Sequence, residues 1–200
     1  MNRIVACCGA ILLAGLSLPA AGSTFVAMDE TDLLSTSNAV VLGEVVSVDS
    51  FWNERHTLIV TEAVLEVERI VIGAAPAYVT VRTAGGTVDG LTVEASGFPT
   101  FEVGERALLF LQKDDARPLG RVSISGRPEG YRVAGYQLGH YRVLRDRKGD
   151  EIAVPTADPG VNLVSAEGHR PEPPRVRRLD RFEELLRIRG RQLKLSVPTR

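Results

Sequence analysis

"AVVLGEVVSVDS", residues 39–50, is the most strand-like run of the chain, and Gly43 and Glu44 interrupt it. Glycine weakens a strand interior, and a charge does not belong in a buried run. Strict alternation would turn Glu44 toward the core together with Val46 and Val48, burying a carboxylate unfavourably. A bulge or sharp bend at Gly43 removes the conflict, because one extra residue flips the phase and re-aims Glu44 outward. Val40–Leu42 would then pack in one half of a barrel and Val45–Val48 in the other. Glycine at a barrel corner is a device for bending a strand in this way. The stretch therefore predicts a closed barrel, marked by an irregular strand through Gly43.

The neighbouring segments extend this reading. "MDETDLLSTS", residues 28–37, predicts a short helix with Asp29 and Asp32 at its start and Leu33 and Leu34 on its apolar face. In residues 57–72, Ile59, Leu65 and Val67 share one parity, and Glu62, Glu66 and Glu68 share the other. That predicts a half-buried strand with a solvated, carboxylate-rich outer face. Its end, "IVIG", is apolar on both faces and is expected to run into the core. Residues 78–83 alternate again, with Val79 and Val81 inward, and Gly85 and Gly86 signal a turn. "ALLFL", residues 107–111, is an unbroken apolar run and predicts a central strand covered on both sides. Strands are expected near 131–136 and 140–144, with a hairpin turn through "RDRKGDE" into 152–154. The echo between "GYRVAG" and "GHYRVL" suits strands paired with each other.

The ends of the chain carry different signals. Arg3, the apolar run from Ile4 to Leu18, Pro19 and the small residues Ala20–Gly22 read as a secretory signal peptide, residues 1–22. The run is too short to span a membrane. Cleavage is expected near Gly22–Ser23, with the product exported to a periplasm or secreted. Both cysteines, Cys7 and Cys8, fall within that peptide. The product would then hold no disulfide, no thiolate nucleophile and no cysteine zinc site. This pattern suggests a bacterial envelope or secreted protein.

Residues 23–154 form the expected barrel domain, in which about 113–154 would be a hairpin extension. Residues 155–174, with Pro155, Pro159, Pro171, Pro173 and Pro174, read as a linker. Residues 175–200 form a basic C-terminal helix and tail. Leu179, Phe182 and Leu186 make its apolar stripe, and Asp180 with Glu183 could form a capping box. Residues 23–167 hold 13 Lys/Arg against 21 Asp/Glu, and residues 168–200 hold 10 against 4. The basic end therefore either docks on the acidic body or binds anionic material.

The parts of an enzyme are missing or scattered. Beyond the signal peptide the histidines are His56, His140 and His169, and there is no Gly-x-Ser-x-Gly elbow. There is no His-x-x-x-His pair for a metal, and "TAGGTVDG", residues 83–90, lacks the Gly-Lys-Ser/Thr of a phosphate loop. No catalytic residue, cofactor or metal is expected. "FWNERH", residues 51–56, is the strongest candidate surface: Trp52, Asn53, Arg55 and His56 lie between two predicted strands. Aromatic and guanidinium groups on a loop held by a rigid sheet are common binding-site components. Trp52 could equally fold back as a plug over the barrel end. "GFPTF", residues 97–101, is expected to cover the sheet end with Phe98 and Phe101.

The order of these segments resembles a known group. A short helix, "VVLGEVVSV", a charged strand ending in "ERIVIG", "YVTVRTAGG" and "FPTFEVGERALLFL" follow one another over residues 25–112. This looks like the netrin-module and tissue-inhibitor-of-metalloproteinases type of OB-fold, and small exported bacterial proteins show a similar pattern. The resemblance implies a mainly β chain: a small closed or partly open OB-like barrel with a short N-terminal helix and a C-terminal helix. Inhibitors of that group bind zinc through an N-terminal cysteine. This chain offers none there, so the inhibitory mechanism does not carry over. The expected function is that of a non-catalytic exported domain binding a protein or an envelope polymer, without a specific nucleic acid, as a monomer. A small envelope hydrolase using His140 beside Tyr141, and a structural envelope component docking through its basic tail, are the alternatives.

Overall fold

The computed structural model describes residues 24–114, 130–157, 162–164 and 174–198. The predicted signal peptide and most of the predicted linker lie outside them. The elements run β1 (Thr24–Val26), α1 (Glu30–Thr36), β2 (Ala39–Trp52), β3 (Ile59–Gly73), β4 (Tyr78–Ala84), β5 (Gly86–Val88) and β6 (Leu91–Val93). They continue with β7 (Arg106–Lys113), β8 (Tyr131–Val133), a 3-10 turn (Tyr136–Gly139), β9 (His140–Arg145) and β10 (Glu151–Pro155). β11 (Asn162–Val164), β12 (Arg177–Arg178) and α2 (Leu179–Gln192) complete the chain.

Five strands close into a barrel in the order β7-β2-β3-β4-β8, with β8 pairing back to β7. All contacts are antiparallel except β4 with β8, which meet in parallel at Val81 and Tyr131. Closure bridges the two outer barrel strands, β7 and β4, through β8. The fold is therefore the expected OB-like barrel, but its boundary differs. β8 closes the barrel from within the segment expected to be a hairpin extension. Only β9 and β10 form that hairpin, with Gly149 at φ 85 in its turn.

The second edge of β7 is shared. Its C-terminal half pairs with β8 and its N-terminal half with β9. The two echoing segments thus sit end to end on one strand rather than pairing with each other. The edge was not readable locally, because each segment is equally able to pair with any free strand. β11 lies inside the predicted linker and pairs in parallel with β1.

Two cores lie on opposite faces of β2 and β7. Ala39, Val41, Val45, Ala107, Leu109 and Leu111 fill the barrel interior with residues of β3 and β4 and with Phe101. Val40, Leu42, Leu108 and Phe110 face outward, where α1 and α2 cover them with Leu33, Leu34, Leu179, Phe182 and Leu186. The unbroken "ALLFL" run follows from this double cover. Val71 and Ile72, from the expected deep end of β3, join the outer core.

Glu44 points outward, as expected, but for another reason. β2 pairs with β7 without interruption from Ala39 to Glu44, so Gly43 does not flip the phase. Val40, Leu42, Glu44 and Val46 form one outer row; the helices cover its first half, and Glu44 and Val46 lie in the open. The phase flips at Val46, where Val45 pairs with Leu65 and Ser47 with Val64. At Gly43 the extra residue is on the partner strand, since Leu42 pairs with Arg69 and Gly43 with Val67. Gly43 is needed for close approach: a Cβ there would lie 2.2 Å from the Glu66 carbonyl oxygen.

α1 begins with the capping box Asp29–Asp32. α2 does not form the capping box expected at Asp180: its N-cap is Arg178, without a side-chain cap. Glu183 instead turns inward to pair with Arg69 and Arg187. The basic C-terminal region docks on the body, with Arg177 and Arg189 both on Glu30 and Arg178 on Asp150. Among the described residues no helix is long and apolar enough to cross a membrane.

Candidate functional site

The β2–β3 turn carries all four predicted site residues, and the structure divides their roles. Asn53 is buried and builds the turn. Its Oδ1 accepts the backbone amides of Thr57 at 2.8 Å and Leu58 at 3.2 Å, while its backbone N–H donates to the Leu58 carbonyl. This places Asn53 as a scaffold rather than a ligand contact. Arg55 is exposed at the tip. His56 adopts φ 50 and stacks on Trp52, with ring centroids 6.0 Å apart. Trp52 is half-buried and belongs to neither core, so it does not plug the barrel.

Trp52 shares its strand face with Ser50 and Val48, since successive side chains alternate. On β3, Ala63, Thr61 and Ile59 stand opposite these three. This row leads from the barrel mouth to the turn, and a cleft of about 700 Å³ opens beside it. Val48 and Phe101, the β5–β6 hairpin and residues 94–100 line it. Phe101 is buried in the barrel core and stacks on His140 at 5.0 Å, as a cover of the barrel end would, whereas Phe98 packs edge-on to Tyr136 outside that core.

Hydroxyls dominate the polar lining. Thr61 Oγ1 donates to the Gly85 carbonyl at 2.7 Å and lies 2.8 Å from Ser50 Oγ. A hydroxyl has one proton, so Ser50 must donate to Thr61 and keep its lone pairs as acceptors. Thr83 donates to the Pro99 carbonyl at 2.9 Å. Gln137 lines the far side; it is 7 % exposed, and its Nε2 has no hydrogen-bond partner. Gly86, at φ 131, lets the hairpin lie against the hydroxyl pair: a Cβ there would sit 2.4 Å from both Ser50 Oγ and Thr61 Oγ1. The glycine-rich "TAGGTVDG" is thus a hairpin, as expected, and also a cleft wall.

Of the cleft residues, Ser50 could have been found from its alternation with Trp52, and "TAGGTVDG" and "GFPTF" were marked as a turn and a cover of the sheet end. Gln137 and residues 94–96 arrive from other segments and left no local signal.

His140 lies deeper. It is fully buried, and its Nε2 is 2.7 Å from Glu105 Oε1. Glu105 Oε2 accepts from Arg142 at 3.1 Å. Burial alone would raise the Glu105 carboxyl; hydrogen bonds and charge from His140 and Arg142 outweigh it and hold the group below the usual range. Tyr141 faces the other core, edge-on to Phe182, where burial pushes its hydroxyl well above the usual range. The chain neighbours His140 and Tyr141 therefore do not share a site.

The carboxylate row of β3 is also not simply solvated. Glu62 is buried against Arg82 at 2.8 Å, Glu68 pairs with Arg106, and Glu66 accepts from Tyr78. Among the described residues no cluster of three His, Cys, Asp or Glu could hold a metal ion. No family model matches the chain, and neither a curated protein nor a solved structure matches it.

Proposed function

We propose that this chain is an exported, non-catalytic binding domain that engages a protein or an envelope polymer along the cleft and the Trp52–His56 turn. The observation that carries the reading is the continuous face from Val48 through Ser50 to Trp52, which joins a hydroxyl-lined cleft to a stacked aromatic pair. Aromatic faces beside hydroxyl acceptors suit an extended, hydrogen-bonding ligand. OB-fold barrels bind oligosaccharides and oligonucleotides through the loop joining their first two strands. The Trp52–His56 turn holds that position, a fold-level analogy. The five-strand closure and flanking helices support kinship with the netrin-module group as part of this proposal.

The burial of His140, with its Nε2 held by Glu105, weighs against the hydrolase alternative, because a general base must reach its substrate. The docked arginines of β12 and α2 weigh against a free basic tail.

The test is capture from bacterial envelope extract on the immobilised protein. Trp52→Ala, and Ser96→Trp at an exposed cleft position, should each lose the captured material with the thermal midpoint unchanged. An unchanged capture profile in both variants would show the face to be wrong.

A further inference from the structure

Across the Phe98–Pro99 wall from the cleft lies a second cavity, of about 250 Å³. Arg132, on β8, stands opposite Gln112 on β7, and its Nε donates to Gln112 Oε1 at 3.3 Å. Arg132 meets no carboxylate among the described residues. Every other buried or half-buried arginine described does: Arg82, Arg106, Arg142, Arg177, Arg187 and Arg189. A half-buried guanidinium without a counter-charge is unusual, because desolvating a cation is unfavourable unless an anion compensates. Arg82 also lines the cavity, but it is held in ion pairs with both Glu62 and Asp114. Among the described residues Arg132 is therefore the cavity-lining cation that pairs with no carboxylate.

The apolar wall is held in a costly conformation. Tyr136 follows Gly135 in the left-handed region, at φ 57 after φ 64. That region disfavours a bulky side chain by about 1–2 kcal/mol, and such outliers gather at ligand sites. Tyr136 is left 43 % exposed as a residue and lines the cavity, its ring edge-on to Phe98 at 5.0 Å and to Phe25 at 5.2 Å.

We propose that this cavity binds a monocarboxylate carried on a planar apolar group. The carboxylate pairs with the Arg132 guanidinium, assisted by the amide of Gln112, and the planar body lies against Phe98 and Tyr136. Planar, forked recognition is what a guanidinium offers a carboxylate. A single cation of this kind suits a monoanion better than a phosphate dianion, and the volume suits a fragment-sized molecule.

The experiment is calorimetric titration of the purified protein with 2-naphthoate, 2-naphthamide and 2-naphthyl phosphate. Naphthoate should bind saturably at one site, and the neutral amide at least roughly tenfold more weakly, as expected for loss of a charge-assisted hydrogen bond. Arg132→Gln should weaken naphthoate by a similar factor and leave the amide unchanged, while Tyr136→Ala should weaken both. Circular dichroism checks that the variants fold, and Arg132→Lys, which keeps the charge, should fall between wild type and Arg132→Gln. No naphthoate binding, equal binding to folded wild type and Arg132→Gln, an amide as tight as the acid, or a tighter phosphate would each overturn the proposal. Capture of a partner by the Trp52 face is read separately, so either result stands without the other.

Discussion

His140 Nε2 and Glu105 Oε1 lie 2.7 Å apart, and both side chains are buried. The same carboxylate takes Arg142 on its other oxygen. Glu105 therefore joins the turn before β7 to β9, and its removal strands two partners at once. Breaking one side of a buried charged pair costs about 3–5 kcal/mol. We expect Glu105→Ala to lose stability in that range, measured by urea unfolding at neutral pH.

The same group makes stability pH-dependent. The folded carboxyl is held below its usual range, by hydrogen bonds that outweigh burial. Its contribution is thus full above the unfolded value of about 4.3 and is lost as pH falls through the folded value. The stability gap between wild type and Glu105→Gln should be larger at pH 7 than at pH 3. A gap that is constant, or that widens in acid, would refute the assignment.

Gly43→Ala tests the close approach of β2 and β3. Its Cβ would meet the Glu66 carbonyl and Leu65 on a packed face. Forcing atoms into such a site costs about 1–3 kcal/mol. We expect a lowered thermal midpoint, whereas alanine at Gly104, whose Cβ meets nothing, would be penalised only by its φ of 84.

Phe182 is buried in the outer core, in ring contact with Phe110 and Tyr141. Phe182→Ala should cost about 3–5 kcal/mol. Arg181→Ala, one residue away on the exposed face, should stay within about 0.5 kcal/mol of wild type. Equal effects would mean that α2 is not docked through its apolar stripe.

Asn53→Ala should cost about 1–3 kcal/mol, because two turn amides lose their acceptor. Hydrogen exchange should accelerate at Thr57 and Leu58. Arg55→Ala, exposed at the tip, should leave both stability and exchange unchanged.

The alternations of β3 and β4, the double-sided "ALLFL" and the Leu179–Phe182–Leu186 stripe were all legible in the sequence, since each is a local period. The turn residues Trp52 to His56 were legible as a candidate surface, with Trp52 equally able to plug the barrel end. Their division was not: Asn53 became scaffold only through its hydrogen bonds to Thr57 and Leu58.

The sequence by itself determined a mainly β chain with a bent first strand, a buried central strand and an amphipathic last helix, because periodicity records which side of an element avoids water. The tertiary structure alone decided what covers each side. Glu44 is exposed because the helices stop over Leu42, and β8 and β9 divide one edge of β7 between them. His140 is sealed by Glu105 and Phe101, and Arg132 meets no carboxylate among the described residues. Cover, edge sharing and charge pairing depend on neighbours brought from distant parts of the chain, and no local period encodes them.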